Sequence, residues 1–73
     1  MKIFITGVAG FLGSHIADWF LSQGHTVVGC DNLFGGDLKN VNPAVKFYNH
    51  DITTLAGFTD IMQGADVVYH CAA

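Results

Sequence analysis

The first fourteen residues read MKIFITGVAGFLGS, and from position 7 glycine recurs at every third place, at 7, 10 and 13. The preceding residues, Lys2-Ile-Phe-Ile-Thr6, form an apolar run without clean alternation, the pattern of a strand buried on both faces of a parallel sheet. Beyond the triplet the period becomes helical. Between Gly13 and Gln23, Ile16 and Phe20 continue a spacing of four from Leu12, Ala17 and Leu21 lie beside them, and Gly24 stands where a helix ends. A glycine triplet between strand and helix constrains this chain more than any other feature, because a sharp bend and a close approach of backbones both require a missing Cβ. An export leader is the competing reading of a lysine followed by apolar residues. It fails because glycine interrupts the run, one cation precedes it and no Ala-x-Ala site follows.

The same reading extends along the chain. Thr26 to Cys30, TVVGC, is a second buried strand ending at Asp31-Asn32. Residues 32–44 hold Gly35-Gly36 and the one proline, Pro43, and form a loop with at most one helical turn around Asp37 to Val41. Val45 to Asn49 alternates as a third strand. Thr53 or Thr54 can cap a helix running to Gln63, with Leu55, Phe58, Ile61 and Met62 inward and Gly64 ending it. Asp66 to Cys71 is a fourth strand. Strands alternating with crossovers make a parallel α/β sheet, and right-handed connections give the order 3-2-1-4 with strand 1 central. The expected architecture is one domain over residues 1–73, a partial Rossmann-type sheet of four strands. Strands 1, 2 and 4 read as buried on both faces, and strand 4 as an open edge.

Composition limits the partners. A 73-residue chain buries only roughly 60% of its unfolded surface. Here 51% of residues are hydrophobic and 12% charged, which excludes a disordered tail and implies that some apolar surface faces a partner, such as a second copy. Three lysines, no arginine and six aspartates give a net charge of −3, with no basic patch for nucleic acid or an anionic membrane. No apolar run is long enough to span a bilayer. Cys30 and Cys71 stand outside any Cys-x-x-Cys pair or Cys/His cluster, so no metal site is expected. In the order 3-2-1-4 they lie two strand spacings apart, roughly 9.5 Å, beyond the ~7 Å of a disulfide. Reduced thiols in a cytoplasmic setting follow.

A strand-to-helix turn with three glycines suits a diphosphate. The first glycine permits the bend, the second admits the phosphates and the third lets helix and strand pack closely, while the free N–H groups of the helix start face the anion. Asp31 lies 18 residues beyond Gly13, at the end of the next strand, where a carboxylate can hold both hydroxyls of an adenosine ribose. His15, His25, His50 and His70 have no Asp or Ser arranged to make a base of any of them and are read as structural; Trp19 falls on the outer flank of its helix.

The stretches TGVAGFLGSH at 6–15, GHTVVGCDNL at 24–33, HDIT at 50–53 and GADVVYHCAA at 64–73 together closely resemble the extended short-chain dehydrogenase/reductase family, in particular its NAD-dependent nucleotide-sugar epimerases and dehydratases. The resemblance implies NAD as cofactor, with Gly7, Gly10 and Gly13 forming the phosphate turn and Phe11 and Leu12 giving N–H groups to the pyrophosphate. It implies that Asp31 holds the adenosine ribose, and that Asn32 and Leu33 line the adenine side. Asp51 contacts the adenine amino group, Ile52 packs on the ring, and Ala72 and Ala73 lie near the second ribose on the same basis.

Catalysis in that family uses a Tyr-x-x-x-Lys pair. Here the fourth residue after Tyr48 is Ile52 and after Tyr69 is Ala73, so these 73 residues hold no such pair and no catalytic residue is assigned. Two expectations stand: the NAD-binding N-terminal part of an epimerase or dehydratase, inactive by itself, or a stand-alone dinucleotide-binding or self-assembling module without catalysis.

Overall fold

The computed structural model describes residues 1–33, 36–49 and 61–71. Four strands, β1 (Lys2–Thr6), β2 (Thr26–Asp31), β3 (Lys46–Asn49) and β4 (Val67–His70), form one parallel sheet in the order β3-β2-β1-β4. That is the order expected from right-handed crossovers. Helix α1 (Phe11–Ser22) connects β1 to β2, and a short 3₁₀ turn at Leu38–Asn40 lies within the predicted loop. The helix predicted from Thr53 or Thr54 to Gln63 lies mostly outside the described residues, as does His50; the predicted terminator Gly64 has φ 81°.

Residues alternate between two cores. Ile3, Ile5 and Val27 point towards α1, where they meet Val8, Ala17 and Phe20; Phe4, Val28 and Cys30 point to the opposite face, with Tyr48, Ile61 and Met62 against them. Burial on both faces explains the unbroken apolar sequence of β1 and β2. The expectation fails for β4, whose Val68 and Tyr69 are exposed. Among the described residues this strand has a neighbour on one side only, β1, so its side chains gain fewer contacts. Its start is tied to β1 by polar bonds: Lys2 N donates to Asp66 Oδ2, Asp66 N to Lys2 O, and Lys2 Nζ to Gln63 O, each at 2.8 Å.

The helix begins two residues earlier than its apolar period predicts, with Gly10 as N-cap, so Gly13 lies inside its first turn. The reason is contact rather than capping. A Cβ on Gly13 would overlap the Gly7 carbonyl, with Gly7 C at 2.9 Å and Val8 Cα at 3.0 Å. Gly29 in the middle of β2 has a comparable cause, because a Cβ there would lie 2.6 Å from Val8 Cβ and Cγ1. Val8 thus fills the space over β2 that Gly29 leaves. We predict that Gly29→Ala destabilises the fold by about 1–3 kcal/mol through overpacking, and that adding Val8→Ala restores part of the loss. Thermal melts of the two single variants and the double variant check this. Additive losses would show that the two sites do not compete for one space.

Candidate functional site

The carboxyl ends of β1 and β2 meet at the glycine turn. Gly7 takes φ 71°, a conformation that side chains resist, and its N–H donates to Cys30 O at 2.9 Å. Gly10 N then donates to Gly7 O at 3.1 Å and closes the turn. No side chain caps α1, and its first turn holds no acidic residue. Ser14 N is the first amide bonded back into the helix, to Gly10 O at 3.0 Å. The amides of Phe11, Leu12 and Gly13 therefore stand at the positive end of the helix dipole with no side-chain acceptor, a setting that favours an anion. The side chains of Phe11 and Leu12 are exposed beside them.

Asp31, at the end of β2, faces this turn and is 8% exposed. Its Oδ2 accepts from Ala9 N at 2.9 Å and its Oδ1 from Leu33 N at 2.8 Å. A carboxylate has about four acceptor positions, so two remain, enough for a pair of vicinal hydroxyls. Leu33 has φ 65°, unusual for leucine, and its bond to Asp31 closes that bend. Asn32 is exposed between them. The structure thus brings Gly7, Gly10, Phe11, Leu12, Gly13, Asp31, Asn32 and Leu33 to one end of the sheet. Asp51, Ile52, Ala72 and Ala73 lie outside the described residues. The site also lies at the switch between β1 and β4, where strand order reverses and open α/β sheets bind ligands.

Three features of this end were not read from the sequence. Thr6 Oγ1 and His70 Nδ1 stand 2.8 Å apart and join the last paired residues of β1 and β4. Ala9 contributes both of its backbone groups. Asn40 reaches it from 31 residues along the chain, through Nδ2 to Ala9 O at 3.1 Å. The Gly35-Gly36 doublet reads from the sequence only as loop, yet Gly36 lies against Ala9. Of the other described histidines, His15 Nδ1 donates to Phe11 O within its own helix at 2.8 Å, and the Met1 ammonium donates to His25 Nδ1 at 3.0 Å. Among the described residues there is no group of three or more His, Cys, Asp or Glu side chains placed to hold a metal, and no helix is long and apolar enough to cross a membrane.

Both cysteines are free. Burial, with the neighbouring Asp31 charge adding to it, pushes the Cys30 thiol from 9.0 up to about 11, and burial also raises Cys71. A raised acid stabilises the fold fully below its unfolded value, and that stability is lost as pH rises through the folded value. Denaturant midpoints should therefore fall between pH 9 and pH 11, and the fall should be smaller in Cys30→Val. Equal slopes for both proteins would refute the assignment.

Comparison with known proteins agrees with this geometry. The NAD dependent epimerase/dehydratase family matches residues 3–73. An uncharacterized UDP-glucose epimerase of Bacillus subtilis is 35% identical, over 100% of this chain and 26% of its own length. The crystal structure of a UDP-glucose 4-epimerase from Thermotoga maritima with UDP-glucose superposes with a TM-score of 0.95 at 36% identity, over 100% of this chain and 24% of that one. That of a Thermus thermophilus UDP-glucose 4-epimerase in complex with NAD gives 0.89 at 36% identity, over 100% of this chain and 24% of that one. The chain thus spans about a quarter of the length of these relatives. The chain belongs to the NAD dependent epimerase/dehydratase family.

Proposed function

We propose that residues 1–73 are the NAD-binding N-terminal portion of a nucleotide-sugar epimerase or dehydratase. One observation carries the reading: the amide end of α1, without a side-chain cap, and the Asp31 carboxylate face one site, joined through Ala9 N at 2.9 Å. In this reading the turn of Gly7, Gly10 and Gly13 and the amides of Phe11 and Leu12 hold the pyrophosphate. Asp31 holds the adenosine ribose, and Asn32 and Leu33 line the adenine. Asp51 and Ile52 on the adenine, and Ala72 and Ala73 near the second ribose, keep the roles that the family resemblance implies. Bound NAD supplies a hydride acceptor; this portion binds and orients it. The protons of such a reaction need a group these residues lack, since neither tyrosine is followed at the fourth place by lysine. The unpaired Cys30 and Cys71 fit a reducing, cytoplasmic setting.

NAD should bind in preference to NADP. Asp31 repels a 2′-phosphate, and the chain has no arginine to receive one. Calorimetry with both cofactors tests this on wild type and Asp31→Ala. Equal or tighter NADP binding by wild type, or unchanged NAD affinity in the variant, would overturn the proposal. With NAD and pooled nucleotide sugars, the 73 residues alone should show no turnover, since general acid–base transfer is worth roughly 10²- to 10⁴-fold. Turnover that depends on Asp31 would contradict this.

The exposed edge supports a second reading, self-association. Among the described residues β4 pairs with β1 alone, Val68 and Tyr69 are exposed, and no Lys or Pro interrupts Val67–His70. Beside it His15, Ile16, Trp19, Phe20 and Tyr69 line an apolar groove of about 310 Å³. Pairing of two such edges would satisfy their backbone groups and give dimers by sedimentation equilibrium. Monomers at micromolar concentration, with Val68→Lys leaving mass and melting temperature unchanged, would exclude it.

A further inference from the structure

Ala9 sits in the middle of the phosphate turn, and its peptide groups are held from both sides. Its N–H donates to Asp31 Oδ2 at 2.9 Å, while its carbonyl accepts from Asp37 N and from Asn40 Nδ2, both at 3.1 Å. Gly36 closes over the same residue. A Cβ on Gly36 would stand 3.0 Å from Ala9 C and O and 3.2 Å from Ala9 Cβ, so any side chain there would push the two backbones apart by a few tenths of an ångström. The short turn presenting Asn40 is itself fixed: Asp37 Oδ1 accepts from Lys39 N at 2.9 Å, Asn40 N donates to Asp37 O at 2.9 Å, and Val41 N to Leu38 O at 3.0 Å.

The Ala9 carbonyl and the Gly10 N–H belong to one planar peptide unit, so whatever fixes the first also orients the second. Gly10 N bonds back to Gly7 O, and the next amides along the chain are those of Phe11 and Leu12 at the start of α1. Rotation of this unit would break the Gly7–Gly10 bond and turn the helix start away from a ligand. We propose that residues 36–40 form a strap that fixes the phosphate turn, and that Asn40 is a positioning residue for the diphosphate of the bound dinucleotide. The inference rests on the dinucleotide-binding reading above. Asn40 acts through Ala9, and it is exposed, so its replacement leaves the core intact.

The test titrates NAD, ADP and adenosine into wild type, Asn40→Ala, Asn40→Asp and Asn40→Gln. Alanine and aspartate both remove the donor, and glutamine retains it on a longer stem. Asn40→Ala and Asn40→Asp should bind NAD and ADP about 3- to 10-fold more weakly, the range of one hydrogen bond. Their adenosine affinity should be unchanged, and Asn40→Gln should recover part of the loss. The ¹⁵N resonance of Gly10, which senses bonding at the Ala9 carbonyl, should move in the alanine and aspartate variants. An equal loss for adenosine, or a loss with the Gly10 resonance unmoved, would overturn the strap. Wild type that binds neither NAD nor ADP overturns the proposed function; wild-type binding that Asn40→Ala leaves unchanged overturns the strap alone.

Discussion

The carboxylate of Asp31 is the interaction on which this end of the molecule depends. It terminates β2, and its two oxygens hold the amides of Ala9 in the glycine turn and of Leu33 in the following bend. Hydrogen bonds to a charged group contribute about 1.5–3 kcal/mol each. The left-handed backbone of Leu33 costs about 1–2 kcal/mol, so the bond that closes the bend is of a size to hold it. One short side chain thus fixes two loops that come from opposite ends of α1 and β2. A ribose bound at its remaining acceptor positions would meet a carboxylate already oriented by protein donors.

Around that group the turn is shaped by what is absent. Gly13 lies where any side chain would strike the Gly7 carbonyl, and Gly29 leaves room for Val8 above β2. These contacts press the start of α1 onto the ends of β1 and β2, and the helix dipole is thereby aimed at the place where phosphates would sit. Packing on the α1 face then secures the helix, through Ala17 and Phe20 on Ile3 and Ile5. In the proposed reading, stability and ligand recognition share the same residues, so a substitution at Gly13 is expected to disturb both.

Local pattern carried the strands, the helix and the sheet order, because the apolar runs of β1 and β2 and the glycine spacing express burial and close approach directly. The candidate site was legible where it follows a motif, at Gly7, Gly10, Gly13 and Asp31. It was not legible where it depends on register or distance. That Gly29 faces Val8 appears only once β1 is paired with β2, Ile5 opposite Gly29. Asn40 reaches Ala9 across a loop with no period, and nothing local marks it. The early start of α1 was missed because Gly13 resembled a helix boundary while serving as a contact inside the first turn. The exposure of Val68 and Tyr69 follows from the edge position of β4, which the strand order already implies; it is the apolar run of that strand, read by itself, that points to burial on both faces.

The central claim is that the uncapped start of α1 and the Asp31 carboxylate form one dinucleotide site. A titration of the ¹⁵N-labelled chain with NAD, followed by amide chemical shifts, tests it most directly. The amides of Gly10, Phe11, Leu12 and Gly13 should move together with that of Leu33, along a single binding curve. Shifts confined to α1's outer flank around Trp19 or to β4, with the glycine turn unmoved, would contradict it.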